Sequence, residues 1–357
     1  LHVDMDSFFT SIEAKENSLL KNRPIIVGAD PKDGKGRGVV SACSYEARKF
    51  GVHSAMPISK AYRLCPSAVF LPVNFQLYTK VSERIMEILR GFANKFEQVS
   101  IDEAYLDVTK SARTFSSGIA IAKQIRKQVA TEGLTCSIGI APNKIVAKMA
   151  SDFEKPSGIT IVLPHEVKQF LYPLPVRRLH GVGKVTETRL KELGIETVAD
   201  LAMFNVQRLV SCLGKWGLYL HMIANGIDES EVEESYSCKS VSREVTFESD
   251  IDDFLALDEA IDKMADDIHE ELEIGGYTFR TVGIKIRFDN FETHMRQRTM
   301  PYQSSDIEVI SRVSKQLIKK FLGSKKKIRL VGIKLGNLKE QHEQKNLREY
   351  YAKLLRY

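Results

Sequence analysis

The sequence predicts an α+β protein of several domains, and three observations carry that prediction. The chain has 357 residues, more than one hydrophobic core ordinarily serves, so two to four domains are expected. Residues 76–164 alternate short apolar strands with amphipathic helices, which is the pattern of a sheet with helices on one face. Residues 165–229 then read as purely helical, and residues 241–339 read as a separate βαββαβ module.

The elements follow in order. The first five residues alternate like a short buried strand. Residues 10–75 are mixed and contain a loop at Asp30-Pro31-Lys32-Asp33-Gly34-Lys35-Gly36. Val81, Ile85, Ile88, Leu89 and Phe92 recur at helical spacing. Strands are expected at 98–101 and 104–108, joined near Asp102 and Glu103, then a helix around 119–129 and a strand at 136–140. Residues 230–240 are acidic and then Ser-rich, as a linker would be. The last module is expected to run strand, acidic helix, strand (281–288), strand, basic helix (307–321), strand (329–335). Neither internal repeats nor low-complexity segments interrupt the chain.

Composition excludes several classes. Hydrophobic residues make up 43% and charged residues 27%, a globular balance and not a disordered one. No apolar run approaches the roughly 20 residues of a membrane helix. Leu1-His2-Val3-Asp4-Met5-Asp6 puts acids where a secretory leader needs base and apolar bulk. The chain does not open on Met, which points to further residues ahead of Leu1. Five cysteines stand far apart with no Cys-x-x-Cys, so neither a disulfide framework nor a zinc site is expected, and the compartment is reducing and cytoplasmic. The net charge of +6 is weak evidence for a polyanion until it is located. Residues 248–273 are almost purely acidic, with Lys263 alone against them, and after Gly275-Gly276 the sign reverses. A module with one acidic helix and a basic remainder can turn its basic face toward phosphates, although a solvated helix with scattered lysines reads equally well.

Three acids carry the chemistry: Asp4 at the end of the first strand, and Asp102 with Glu103 between two strands. Neighbours on a regular strand point to opposite faces, but a turn can aim both carboxylates one way, and an adjacent first strand would add Asp4. Carboxylate oxygens suit Mg²⁺, which keeps waters and borrows phosphate oxygens. Two such ions clamp the attacking and leaving oxygens of an in-line displacement at phosphorus.

Val3-Asp4-Met5-Asp6-Ser7-Phe8-Phe9 resembles the opening motif of the Y-family DNA polymerases, and Ser100-Ile101-Asp102-Glu103-Ala104-Tyr105-Leu106-Asp107 resembles their second catalytic motif. Tyr45-Glu46-Ala47-Arg48-Lys49-Phe50-Gly51-Val52 looks like their fingers motif. Cys136-Ser137-Ile138-Gly139-Ile140-Ala141-Pro142-Asn143-Lys144 and Lys155-Pro156-Ser157-Gly158 continue the match. The resemblance covers nearly the whole chain and is nearest the DinB-like branch, of polymerase IV and kappa type. It implies a right-hand polymerase: palm (1–9 and 76–164), small fingers (10–75), helix-hairpin-helix thumb (165–229), linker (230–240), little finger (241–339) and a tail (340–357). It implies low-fidelity, template-directed translesion synthesis from deoxynucleotides onto a primer 3′-hydroxyl, and no proofreading segment is recognisable.

Residue by residue, the resemblance makes Asp4, Asp102 and Glu103, with the Met5 carbonyl, the holders of two Mg²⁺ ions. Asp6 and Asp107 are expected to be structural. Tyr45, Arg48 and Lys155 match triphosphate-binding positions, joined by the Phe8 and Phe9 backbone amides. Arg offers a planar fork and Lys a point charge, and both suit phosphate oxygens. Ala42 stands where the family commonly has Thr, so the hydroxyl contact is missing or passes to Ser41; Ser44 stands where Asn is common. Phe9 matches the steric gate under the sugar, where a ring leaves no room for a 2′-hydroxyl.

Leu179-His180-Gly181-Val182-Gly183-Lys184-Val185 is a helix-hairpin-helix pattern, whose Gly181, Gly183 and Lys184 would meet a DNA phosphate at a helix N-terminus. A weaker copy lies at Leu213-Gly214-Lys215-Trp216-Gly217. Lys239, Ser240 and Arg243 open the last module in the manner of the family's little finger. Its basic strands, with Arg280, Lys285, Arg287, Arg296, Arg298 and Arg329, would straddle backbone phosphates and bind in a salt-dependent way. In the tail, Gln344, Leu347, Tyr350 and Tyr351 fit the Gln-x-x-Leu-x-x-aromatic-aromatic form of a peptide that docks on a PCNA-type sliding clamp, which points to an archaeal or eukaryotic source; a chance amphipathic tail is the alternative. A monomer binding primer-template DNA and deoxynucleotides is expected. Two rivals share parts of the pattern: a nucleotide cyclase, which would not need DNA clamps, and a non-catalytic DNA-binding scaffold, which would not need all three acids.

Overall fold

The opening alternation becomes β1 (His2–Met5), with Val3 and Met5 buried on one face and His2 and Asp4 on the other. A computed structural model describes residues 1–234, 238–321 and 326–340. The chain divides into two units, residues 1–235 and 236–357. After β1 come α1 (Phe8–Glu16), β2 (Ile25–Gly28), β3 (Val40–Cys43), α2 (Tyr45–Arg48), α3 (Ile58–Leu64) and β4 (Val69–Leu71). These strands form a small sheet in the order β3-β2-β4 over its own core of Ile26, Val40, Cys43, Met56 and Ile58. Ile12 of α1 and Leu20 pack instead into the larger neighbouring core.

That larger core belongs to α4 (Phe75–Arg90), β5 (Lys95–Gln98), β6 (Glu103–Asp107), α5 (Phe115–Thr131), β7 (Cys136–Ile140), α6 (Lys144–Ser151) and β8 (Ile159–Ile161). The sheet order is β5-β6-β1-β7-β8, so β1 is its central strand and pairs antiparallel with both β6 and β7. Asn74 caps α4 and buries Tyr78, Val81, Ile85 and Leu89 against the sheet. Thr114 and Ser117 form a reciprocal capping box at the start of α5. The first strand of the predicted hairpin sits three residues earlier than expected, at β5. Residues 99–102 turn instead, because Ser100 Oγ donates to Asp102 Oδ1 at 2.6 Å and the Val99 and Ser100 amides both bond the Glu103 carbonyl.

α6 approaches the sheet closely. A Cβ on Gly139 of β7 would lie 1.9 Å from the Ala147 carbonyl, so only glycine admits this packing. The other side of α6 enters a helical core with α7 (Val167–Leu171), α8 (Lys184–Glu192), α9 (Val198–Met203), α10 (Val206–Leu213) and α11 (Lys215–Ala224).

The second unit contains β9 (Ser240–Ile251), α12 (Phe254–Gly275), β10 (Tyr277–Phe288), β11 (Thr293–Ser304), α13 (Ile307–Ile318), β12 (Ile328–Gly336) and β13 (Lys339–Glu340). Its antiparallel sheet runs β11-β10-β12-β9, giving the expected βαββαβ order. The basic helix is shorter than expected, with residues 319–321 forming a 3₁₀ turn. Leu257, Ile261, Ile268, Ile310 and Leu317 of the two helices bury one face of the sheet against Val282, Ile284, Val331 and Ile333.

Candidate active site

The antiparallel register sets Asp4 opposite Glu103, and the Met5 amide bonds the Asp102 carbonyl at 2.9 Å. The three predicted acids therefore gather at the end of β1 and at the β5–β6 turn. Lys148 on α6 donates to Glu103 Oε2 at 2.5 Å, and His2 Nε2 lies 3.5 Å from the same oxygen. Lys155 reaches Asp4 at 2.9 Å and Asp152 at 2.8 Å.

The electrostatics follow from this burial. Burial pushes the Asp4 carboxyl up to about 6, with Lys155 working against it. Burial also acts on Glu103, but the Lys148 ammonium, which donates to it, and the nearby His2 ring win and hold its carboxyl at about 2. His2 is fully buried, which lowers its imidazole to about 4; Nδ1 meets Ser151 Oγ at 2.7 Å. Burial disfavours the Lys155 ammonium, yet the Asp4 and Asp152 carboxylates outweigh it and raise its pKa. Hard carboxylate oxygens that are partly desolvated and already drawing on lysines for positive charge are a donor set that fits Mg²⁺. Among the described residues no three acid, imidazole or thiol groups yet close around one point, since Asp4 is turned to Lys155 and Glu103 to Lys148.

Beside the acids lies a basic and amide-rich cradle. Ser7, in the left-handed conformation (φ 44°), starts α1 without a side-chain cap, so the first amides of the helix, Phe8 and Phe9, are left for other acceptors. Tyr45 donates its phenol to Asp6 Oδ1 at 3.3 Å, and the Arg48 guanidinium lies 5.0 Å from the Tyr45 ring centre. Ser41 is exposed on β3. Ser44 is not a nucleotide-facing position: it is buried, and its hydroxyl accepts from the Ile25 and Ala47 amides as the cap of α2. The change from the commoner Asn is thus absorbed by local structure. Phe9 is half-buried and stacked on Tyr78, with ring centres 4.2 Å apart and 16° between planes. Tyr78 is fixed in turn by its hydroxyl on Glu13 Oε1 at 2.6 Å.

Sequence reasoning missed His2, Lys148, Asp152 and Tyr78. Tyr78 lies on the buried face of α4, and nothing local in the sequence signals its stacking on Phe9. Asp6 is buried among three donors and Asp107 accepts from the Thr109 amide at 2.8 Å, in line with both being structural.

Comparison with known proteins identifies this arrangement. The impB/mucB/samB family profile matches residues 3–152, its C-terminal domain profile matches residues 238–347, and the helix-hairpin-helix profile of the same family matches residues 164–195. A protein named DNA polymerase IV 2 from Methanosarcina mazei is 50% identical over 97% of this chain and 94% of its own length. DNA polymerase IV of Methanoculleus marisnigri is 51% identical over 95% of this chain and 94% of its own. Among solved structures, a Y-family DNA polymerase chimera of Dbh and Dpo4 aligns with a TM-score of 0.87 at 32% identity, covering 95% of this chain and 98% of that one.

The chain belongs to the Y family of DNA polymerases. It is a DNA-directed DNA polymerase of the translesion class.

The remaining polymerase surfaces are built from glycine turns and alternating strands. Gly181 has φ 86°, and Gly183 begins α8 without a side-chain cap. Arg177 donates to the Val182 carbonyl inside this turn. Trp216 packs on Gly181, where a Cβ would come within 2.8 Å of its ring, and stacks on Tyr219 at 4.9 Å. The weaker second pattern is a tight α10–α11 hairpin: Gly217 brings α11 against the Leu209 carbonyl.

In the second unit the basic residues divide between the two faces of the sheet. Arg243 lies opposite the buried Ile333 and pairs with Glu271 of α12 at 2.6 Å. Arg296 and Arg298 lie opposite Ile284 and Val282, and Arg298 bonds Gln316 of α13 at 2.7 Å while Arg296 sits over the Phe321 ring. These three are on the helix side. Strand side chains alternate, so Lys285, Arg287 and Lys334 take the open face. There Lys285 bonds Glu244 at 2.8 Å across Gly332. Arg329 pairs with Asp250 at 3.6 Å. Lys239 and Ser240 are exposed at the start of β9. Gln344, Leu347, Tyr350 and Tyr351 lie outside the described residues.

Proposed function

We propose that Asp4, Asp102 and Glu103, with the Met5 carbonyl, hold two Mg²⁺ ions, and that the cradle beside them takes the triphosphate of a deoxynucleotide. The observation that carries this reading is the opposition of Asp4 and Glu103 on one sheet face with Lys155 seated between Asp4 and Asp152. The ions, when bound, supply Lewis-acid stabilisation of the reacting oxygens. The protein's own residues do the rest. Asp4 and Glu103 are positioned by rigid strands before substrate arrives. Lys155, Arg48 and Tyr45, with Ser41 and the Phe8 and Phe9 amides, receive phosphate oxygens, and Lys155 exchanges its carboxylate partners for them. Phe9, backed by Tyr78, excludes a 2′-hydroxyl.

The thumb's Gly181–Lys184 turn and the open face of the little finger, with Lys285, Arg287 and Lys334, hold the DNA backbone without reading bases. Lys239 and Ser240 lead into that face. The domain limits are those of the motifs: palm at 1–9 and 76–164, fingers at 10–75, thumb at 165–229, linker at 230–240, little finger at 241–339. The tail peptide at Gln344, Leu347, Tyr350 and Tyr351 docks on a sliding clamp, and the enzyme works as a cytoplasmic monomer. No described helix is long and apolar enough to cross a membrane.

Primer extension with Mg²⁺ and single deoxynucleotides, on undamaged and abasic templates, tests the proposal. Templated extension that needs Asp4, Asp102 and Glu103, and that clamp stimulates only while residues 344–351 are present, is the expected result. Extension that survives loss of all three acids would refute it.

A further inference from the structure

Asp6 is a nearly fully buried carboxylate, 3% exposed, immediately after β1. Its partners come from three separate parts of the chain. Oδ1 accepts from Ser137 Oγ on β7 at 2.8 Å and from the Tyr45 phenol on α2 at 3.3 Å. Oδ2 accepts from the Ser157 amide at 2.9 Å. Ser157 is in the left-handed conformation (φ 58°) in the turn that directly follows Lys155-Pro156. The Asp6 carbonyl accepts from Ser11 Oγ at 2.7 Å, which ties the same residue to the first turn of α1 and so to Phe8 and Phe9.

A buried carboxylate is costly unless its lone pairs are filled, and these partners are neutral hydroxyl, phenol and amide donors. Two planar oxygens facing three donors fix all three directions at once. Asn in this place could keep the Ser157 amide only with its oxygen on that side, which turns its NH₂ toward the Ser137 and Tyr45 hydroxyls and makes both switch from donor to acceptor. The residues tied down in this way are those placed above against the triphosphate: Tyr45, Lys155 through its turn, and the Phe8 and Phe9 amides.

We propose that Asp6 is a positioning residue that assembles the triphosphate cradle, joining the Tyr45 phenol, the Lys155 turn and the start of α1 around one buried carboxylate. It touches neither substrate nor the reacting atoms. The proposal rests on the reading that Tyr45 and Lys155 bind phosphate, and the experiment separates the two.

Asp6→Asn and Ser137→Ala are measured with the full chain in single-nucleotide primer extension, beside Lys155→Ala and with the affinity for primer-template DNA read separately. Asp6→Asn is expected to raise the deoxynucleotide KM about tenfold or more, since misplaced binding groups lose their alignment. Its kcat at saturating nucleotide and its DNA affinity stay within about threefold of wild type on the same argument. Ser137→Ala removes one donor and no phosphate contact; it is expected to shift KM a few-fold the same way, and it decides the matter alone if Asp6→Asn does not fold. An unchanged KM in the folded variants, a loss confined to kcat, or a parallel loss of DNA affinity would overturn the proposal. If Lys155→Ala also leaves KM unchanged, the triphosphate reading fails with it; if Lys155→Ala raises KM and the others do not, only the role of Asp6 fails.

Discussion

Asp4 and Glu103 are cross-strand partners, one on the central strand of its sheet and the other the first residue of the strand beside it. Directly opposed side chains on a sheet face have Cβ atoms about 5 Å apart, a span that carboxylates can bridge to shared cations. Like charges so placed repel, and the protein offsets this with Lys155 on one acid and Lys148 on the other.

Removing Glu103 is therefore expected to end catalysis without unfolding the chain. Glu103→Ala should lower templated extension roughly a thousandfold or more, the equivalent of about 4 kcal/mol of transition-state stabilisation. Circular dichroism and DNA binding should stay at wild-type levels. Robust extension by the folded variant would exclude Glu103 from the site.

Phe9→Ala should admit ribonucleotides. The ring is held by Tyr78 from one side, with Phe75 6.3 Å away, so its position does not drift. Discrimination between deoxy- and ribonucleotides should fall by roughly a hundredfold, the scale on which a steric pocket rejects an added hydroxyl. Ratios of kcat/KM for paired nucleotides measure it; an unchanged ratio would assign the gate elsewhere.

His2 should make the fold acid-sensitive. Its imidazole titrates at about 4 in the folded chain against 6.5 ordinarily, so the unfolded chain takes up the proton first as pH falls. Its contribution is complete above about pH 6.5 and is lost progressively toward pH 4. The loss is on the order of 3 kcal/mol. Asp4 acts with the opposite sign, since burial raises its carboxyl from 3.8 to about 6 and favours the folded state as pH falls. Comparing wild type with His2→Leu cancels that second effect. Urea midpoints at pH 7.5, 6 and 5 should fall in wild type relative to the variant; parallel curves would refute the assignment.

Gly139→Ala should displace α6. The new methyl would meet the Ala147 carbonyl and the Ser151 amide at 1.9 and 2.6 Å, and backbone atoms give way only at a cost of about 1–3 kcal/mol. Since α6 carries both Lys148 and Ser151, extension should weaken along with the urea midpoint. A variant of wild-type stability would show that α6 is not so tightly seated.

Gly181→Ala should weaken DNA binding and spare the acids. Alanine is strained at φ 86°, and its methyl would strike Trp216 at 2.8 Å. Fluorescence anisotropy over a salt series should show lower affinity with a shallower dependence on log salt, because a phosphate contact is lost. An unaltered slope would place the backbone contact elsewhere.

The motifs around Asp4, Asp102, Tyr45 and Lys155 named the chemistry before any fold was visible, because metal and phosphate binding demand those residue types in those settings. Local patterns likewise gave β7 at its observed limits, the apolar face of α4, and the βαββαβ order of the second unit. They misplaced β5 because side-chain bonds around Ser100 and Asp102 override the strand preference of 99–102. They were also silent on which parity of a strand faces solvent. Period two puts Arg296 with Arg298 and Lys285 with Arg287, but only the register that sets Arg296 opposite Ile284, and the helices packed on Val282 and Ile284, decide which pair faces the open side. What the sequence by itself determined was the residue types of the site and the kinds of element that carry them. The tertiary structure alone decided that Asp4 faces Glu103, that Lys148 reaches Glu103, and that Asp6 gathers Tyr45, Ser137 and Ser157. Those partners are separated by 39 to 151 residues, and no local preference encodes a contact that only register and packing create.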